Sequence, residues 1–121
     1  MTIYRPPSVK DQPDITLLDW CIFKILNEGF HFCGRALESK HDGRVSSKIV
    51  SFNRKTMVGI TRSGRKYHLT GQPGMHPSAV YVFHQWLSYN NIEDVVFYYQ
   101  VPETEEFQKL ERQNDEGQKQ R

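Results

Sequence analysis

A chain of 121 residues that is 37% hydrophobic, 12% aromatic and 25% charged lies in the one-domain range and can fold around its own core, without a metal or disulfide staple. Its longest apolar runs, 79–83 and 95–99, are five residues each, far short of the roughly 20 that a membrane helix needs, so no membrane partner is expected. The net charge of +2 excludes a strongly polyanionic or polycationic protein but conceals where the charges lie.

Residues 1–14 hold three prolines and no apolar periodicity, which predicts a flexible N-terminal arm. Met1–Pro7 carries no apolar segment of the leader kind, and two cysteines, Cys21 and Cys33, are too few for a disulfide framework. The expectation is a cytoplasmic protein with free thiols. A single globular domain is then expected over 15–101 and a polar tail over 102–121.

The globular part opens with Cys21–Leu26, then Asn27-Glu28-Gly29, then Phe30–Leu37. Both arms are β-branched or aromatic and the glycine suits a positive φ, so the stretch reads as a hairpin. Leu18, Ile22 and Ile25 also recur at helical spacing, and a helix over 15–27 remains open. His41-Asp42-Gly43 signals a turn and Ser46–Phe52 a strand. Asn53-Arg54-Lys55 turns into Thr56–Arg62, and Ser63-Gly64 separates that strand from Arg65–Thr70 at tight-hairpin spacing. In the last of these, Tyr67 and Leu69 alternate with Lys66, His68 and Thr70.

Gly71–His76 is a loop. Pro77 can open a helix because it has no N–H to lose, and Ala79, Val82, Phe83, Trp86 and Leu87 repeat at i, i+3, i+4, i+7 and i+8. Asn90-Asn91 suits the stop, and Val95–Val101 is a last strand closed by Pro102. The tail has apolar residues only at Phe107 and Leu110, where a frayed helix remains open, and these are too few to offset its ordering entropy. The fold class expected is α+β, mostly β: an antiparallel meander of about five strands, curved or half-open as a barrel, covered by one amphipathic helix and followed by a last strand.

Catalytic and metal-binding chemistry is poorly provided for. His31 and Cys33 would share a strand face, and Cys21, His41 and His68 could join them, but no CxxC or HxxxH spacing marks a zinc site. Cys33 beside His31 or His68 is the one nucleophile–base pairing to consider. Acidic residues are absent between Asp42 and Glu93, which leaves few carboxylates for acid–base work. Gly71-Gln72-Pro73-Gly74 lacks the lysine and spacing of a phosphate loop. No enzyme, cofactor or metal is expected.

That acid-free interval contains seven bases: Arg44, Lys48, Arg54, Lys55, Arg62, Arg65 and Lys66. Three of them crowd the Ser63-Gly64 turn, and Arg54 and Lys55 sit at the neighbouring one. Arg54, Lys55, Arg62, Arg65, Lys66 and His68 are therefore the candidate partner-binding residues, for an acidic protein surface, a nucleoprotein complex or a nucleic acid. A solvated rim would carry the same residues. Consecutive turns of a meander fall at opposite ends of the sheet, which would divide these bases into two patches; Tyr67, Tyr81 and Tyr89 could add stacking or belong to the core. The sequence pI of about 8.6 is low for a dedicated nucleic-acid binder, where values above about 9 are usual.

The segments Ser46-Ser47-Lys48-Ile49-Val50 and Thr61–Leu69 together resemble parts of small proteins from bacterial and phage mobile elements. The resemblance covers about a third of the chain, contains no catalytic motif, and implies a defence, counter-defence or element-control role, including anti-CRISPR-like inhibitors, which act mostly by binding.

Overall fold

In the computed structural model, which describes residues 8–39 and 42–119, the chain is α+β and mostly strand. It forms β1 (Asp14–Ile25), β2 (Gly29–Ala36), β3 (Asp42–Val45), β4 (Ile49–Asn53), β5 (Val58–Thr61), β6 (Lys66–Leu69), α1 (Pro77–Tyr89), β7 (Val95–Tyr98) and α2 (Glu105–Lys119), with one 3-10 turn at Leu37–Ser39. Met1–Pro7, half of the expected N-terminal arm, and His41 lie outside the described residues.

The first two strands form the expected hairpin, Ile25 opposite Gly29 and Leu17 opposite Ala36, which decides against the helix over 15–27. The expected meander needs correction. The strand order is β3-β2-β1-β6-β5-β4, with β7 also on β1. The start of β1 pairs parallel with β6, Asp14 opposite Lys66 and Leu17 opposite Leu69. Its end pairs antiparallel with β7, Ile22 opposite Tyr98 and Ile25 opposite Val95. A strand of 12 residues is long enough to hold two partners end to end along one edge while β2 covers the other.

A β-bulge divides these two regimes. Register slips between Leu18 and Cys21, and Asp19 takes a φ of 47°, a region that Asp tolerates better than most residues. The extra residue inverts the side-chain alternation. Before it, Ile15 and Leu17 face the same core as Trp20 and Ile22 do after it, while Cys21, Phe23 and Ile25 face the opposite side. The Asp19 carboxylate accepts from Arg35 Nε at 2.7 Å, tying the bulge to β2.

Two cores result. On one face Ile15, Leu17, Trp20, Ile22, Phe30, Phe32, Ile49, Phe52 and Tyr67 pack together, so side chains of β2, β4 and β6 meet and the sheet must curl. It stays open, because among the described residues β3 and β4 share no ladder. On the other face Cys21, Phe23, Ile25 and Cys33 pack under Ala79 and Phe83 of α1.

The α1 segment ends where its sequence says it should. His76 Nδ1 accepts from the Ser78 N–H at 3.2 Å, Pro77 follows the cap, and Asn91 adopts φ 55°. The Ile92 N–H donates to the Leu87 carbonyl and the Asn91 N–H to the Ser88 carbonyl, the paired bonds of a Schellman stop. The turn expected at His41-Asp42-Gly43 is replaced, at Asp42 and Gly43, by β3, which pairs with Cys33–Ala36. A Cβ at Gly43 would lie 2.7 Å from Ala79 Cα, so this strand is where α1 touches backbone.

The second departure is at the C-terminus. The segment read as a polar tail carries α2, with Phe107 fully buried. Thr104 caps its start, the hydroxyl accepting from the Phe107 N–H at 3.3 Å, and Glu105 and Glu106 suit the positive helix end. Phe107 meets Phe30 edge-on at 5.1 Å and Phe52 at 5.3 Å. One aromatic at the right depth outweighs the polar composition around it. Among the described residues, no helix is long and apolar enough to cross a membrane.

Candidate functional site

The structure separates the six candidate residues: Arg65 is buried, while Arg54 and His68 stay partly solvated but are engaged by partners within the chain. Arg54, at the β4–β5 turn, donates from Nε to Glu111 Oε1 at 2.8 Å, from Nη2 to Oε2 at 3.0 Å and from Nη2 to the Pro102 carbonyl at 3.1 Å. It serves the docking of α2. Arg65 is 4% exposed, with Nε donating to the Gln12 carbonyl at 2.9 Å. His68 Nε2 pairs with Asp14 Oδ1 at 2.8 Å. Arg44, another base of the central block, is fully buried. Lys55, Arg62 and Lys66 are exposed and form no ion pair with a described residue. Lys55 sits at the β4–β5 turn and Arg62 at the β5–β6 turn, so the basic block is split between two ends.

The β5–β6 turn is longer than a two-residue hairpin. The Gly64 N–H donates to the Thr61 carbonyl at 2.8 Å and the Thr61 N–H to the Arg65 carbonyl at 3.1 Å. Arg62-Ser63-Gly64 thus form a three-residue loop with Gly64 at φ 92°. That loop is latched to the residues between β3 and β4. The Arg62 N–H donates to the Lys48 carbonyl at 2.7 Å, and the Ser63 N–H donates to Ser47 Oγ at 3.3 Å. Ser46 in turn exchanges bonds with Phe32 of β2: its N–H donates to the Phe32 carbonyl at 2.9 Å and its Oγ accepts from the Phe32 N–H at 2.8 Å. Lys48 and Arg62 are therefore held side by side by backbone.

Both line a cleft of about 600 Å³, together with Asn27, Glu28, His31, Ser47, Trp86, Asn90 and Ile92. Neither cation forms an ion pair with a described residue. Lys48 reaches the cleft across Gly29, where an added Cβ would lie 2.6 Å from Lys48 Cε.

His31 forms the floor. It is 7% exposed, stacked on Phe23 at 5.2 Å and met edge-on by Trp86 at 5.1 Å. Nδ1 lies 2.9 Å from the Ser46 carbonyl; a carbonyl only accepts, so Nδ1 carries the proton and Nε2 the lone pair. Burial pushes the imidazole below its ordinary value near 6.5; the Ser46 bond and Glu28 oppose this, while Lys48 and Arg62 add to it. The ring is held neutral with an accepting nitrogen that bonds to none of the described residues.

The grouping of His31, Cys33, Cys21, His41 and His68 as metal ligands is not assembled. Cys21 and Cys33 face each other across the β1–β2 ladder, His68 is with Asp14, and His41 is outside the described residues. Among the described residues, no three His, Cys, Asp or Glu side chains converge as a metal site would require. Cys33 is no nucleophile here: it is fully buried, and its bond to Cys21, with burial, pushes its thiol up. Tyr67 belongs to the core, whereas Tyr81 and Tyr89 are exposed on α1.

Sequence reasoning found Arg62 but did not join it to Lys48, Glu28, Trp86 or Asn90. The one local signal was the serine pair Ser46-Ser47 ahead of Lys48: the Ser47 hydroxyl accepts from the Ser63 N–H of the loop, and Ser46 ties the segment to Phe32. The chain matches no protein-family model, and no curated protein or solved structure is significantly similar to it.

Proposed function

We propose that this is a small non-enzymatic binding protein that docks on an acidic protein surface, alone or within a nucleoprotein complex, through the end of the sheet bearing Lys48, Arg62 and Lys66. The observation that carries the reading is the backbone latch between Lys48 and Arg62, which holds two cations together without a carboxylate partner among the described residues. Such a pair is preorganised for an anionic group, because neither backbone must be ordered on binding. Three exposed or half-exposed cations suit an acidic patch better than a track of phosphates, which needs more contacts along a groove. The likeness of Ser46–Val50 and Thr61–Leu69 to mobile-element proteins makes a host defence complex in the cytoplasm the partner to test first.

The test is affinity capture from bacterial lysate, with and without nuclease. The wild-type chain is compared with a Lys48→Glu, Arg62→Glu, Lys66→Glu variant and with a control reversal at Lys10 and Lys109. A partner protein retained after nuclease treatment, kept by the control and lost by the triple reversal, is the expected result. Retention of nucleic acid that falls steeply with salt would favour direct DNA or RNA binding instead. Equal capture by all three chains would overturn the reading.

A further inference from the structure

We propose that the cleft between Lys48, Arg62 and His31 is a binding site for a small phosphomonoester with a hydroxylated organic body, of about mononucleotide size. This rests on the same cation pair as the docking surface, but it concerns the interior of the cleft and not its rim.

Three features of the cleft point to that chemistry. First, Lys48 and Arg62 both line the cleft and are joined through their backbones, and a planar guanidinium beside an ammonium suits the several oxygens of a phosphate. Two cations against the single carboxylate of Glu28 leave the cleft short of negative charge. The C-terminus of α1 adds little, because the carbonyls of Trp86, Leu87 and Ser88 already accept bonds from Asn90, Ile92 and Asn91.

Second, the rest of the lining suits an organic group. Trp86 and Ile92 are half-buried and apolar, Asn27 and Asn90 offer amides, and Glu28 can accept from a hydroxyl. The volume of about 600 Å³ falls within the range of small-molecule sites. Third, His31 is more than nine-tenths buried at the cleft floor, with Nδ1 fixed on Ser46. A histidine in the cleft lining that keeps an acceptor bonded to none of the described residues is arranged to meet a donor, and a ligand O–H or N–H supplies one. Ring rotation would break the Ser46 bond, so the acceptor is presented in one direction.

The experiment is a ¹H–¹⁵N NMR titration with three probes: adenosine 5′-monophosphate, ribose 5-phosphate and inorganic phosphate. We expect saturable shifts at the Trp86 indole N–H and the His31 ring nitrogens, with the two phosphomonoesters binding more tightly than phosphate. Arg62→Gln, an exposed turn change that leaves the core untouched, should weaken binding of adenosine 5′-monophosphate about tenfold or more, as for loss of a charge-assisted contact. His31→Gln should weaken it while leaving partner capture intact, whereas Lys66→Glu should reduce capture and leave the titration unchanged. That crossover separates failure of this inference from failure of the docking reading. No saturable shift with any probe, an unchanged affinity in Arg62→Gln, or inorganic phosphate binding as tightly as the phosphomonoesters would each overturn it.

Discussion

Arg54 and Glu111 meet as a fork on a carboxylate, Nε to Oε1 at 2.8 Å and Nη2 to Oε2 at 3.0 Å. The two residues belong to the β4–β5 turn and to α2, which contains the last described residues of the chain. The fork clamps α2 over the open side of the sheet just where Phe107 enters the core. A basic residue at a turn tip is thereby committed to the fold, and the acidic C-terminal residues acquire a structural purpose.

The first prediction concerns that clamp. Phe107→Ala should cost about 3–5 kcal/mol, the usual penalty for emptying a buried aromatic position. Arg54→Ala should cost less, because its ion pairs remain partly solvated. Deletion of residues 104–121 should destabilise at least as much as Phe107→Ala. Urea denaturation of the three variants checks the order, and a truncated chain as stable as wild type would show that α2 does not seal the core.

Gly43 supplies the second. Its added Cβ would press on backbone atoms of α1, 2.7 Å from Ala79 Cα, and neither helix nor strand can yield cheaply. Gly43→Ala should therefore destabilise by about 1–3 kcal/mol, as overpacking does, and should displace α1. Gly64→Ala is the contrasting case: its Cβ would meet no atom within 4 Å, and its φ of 92° alone opposes the change. Thermal melts, with chemical shifts of the α1 amides, distinguish crowding from backbone strain.

A third prediction follows from His31. Its folded-state pKa is held below the ordinary imidazole value near 6.5, so just below that value the unfolded chain binds a proton that the native protein refuses. Stability should be complete above about pH 6.5 and should fall as the pH drops towards the folded pKa. Melting temperatures measured between pH 7.5 and pH 5, above the range where carboxylates titrate, should decline in the wild type. The decline should shrink in His31→Gln. A slope that survives this substitution would assign the effect to other groups.

The fourth concerns the bulge. Asp19 combines a left-handed backbone with a bond to Arg35. Asp19→Asn keeps the conformational tolerance and a hydrogen-bonding oxygen, while Asp19→Val loses both. The valine variant should be the less stable by about 1–3 kcal/mol, the scale of one strained residue. Denaturant midpoints of the two variants decide this.

Much of the fold was legible because its signals are local. The β1–β2 hairpin follows from two apolar arms around Asn27-Glu28-Gly29, and α1 from Pro77, five spaced apolar residues and Asn90-Asn91. What stayed hidden depends on contacts distant in sequence. Nothing in Leu17-Leu18-Asp19-Trp20 announces a bulge, and nothing in Lys66–Leu69 announces a parallel partner at Asp14–Leu17. Phe107 and Leu110 in a charged segment suggest no more than a frayed helix, and nothing local reveals that Phe107 is fully buried. The candidate surface was half legible for the same reason. Arg62 stands out by composition, but the burial of Arg65, the engagement of Arg54 and the pairing of Lys48 with Arg62 appear only when separate turns come together.

The double pairing of β1 also bears on how the chain reaches this state. Hairpins such as β1–β2 and β5–β6 close short loops and can form early, within microseconds or so. The parallel ladder of Asp14–Leu17 with Lys66–Leu69 cannot, because β2 to β5 must all be synthesised and roughly placed before its two strands meet. Long loop closure is what slows two-state folding. Docking of β6 on β1 is accordingly expected to limit the folding rate, with substitutions at Ile15 or Leu69 slowing refolding and those in α1 mainly speeding unfolding.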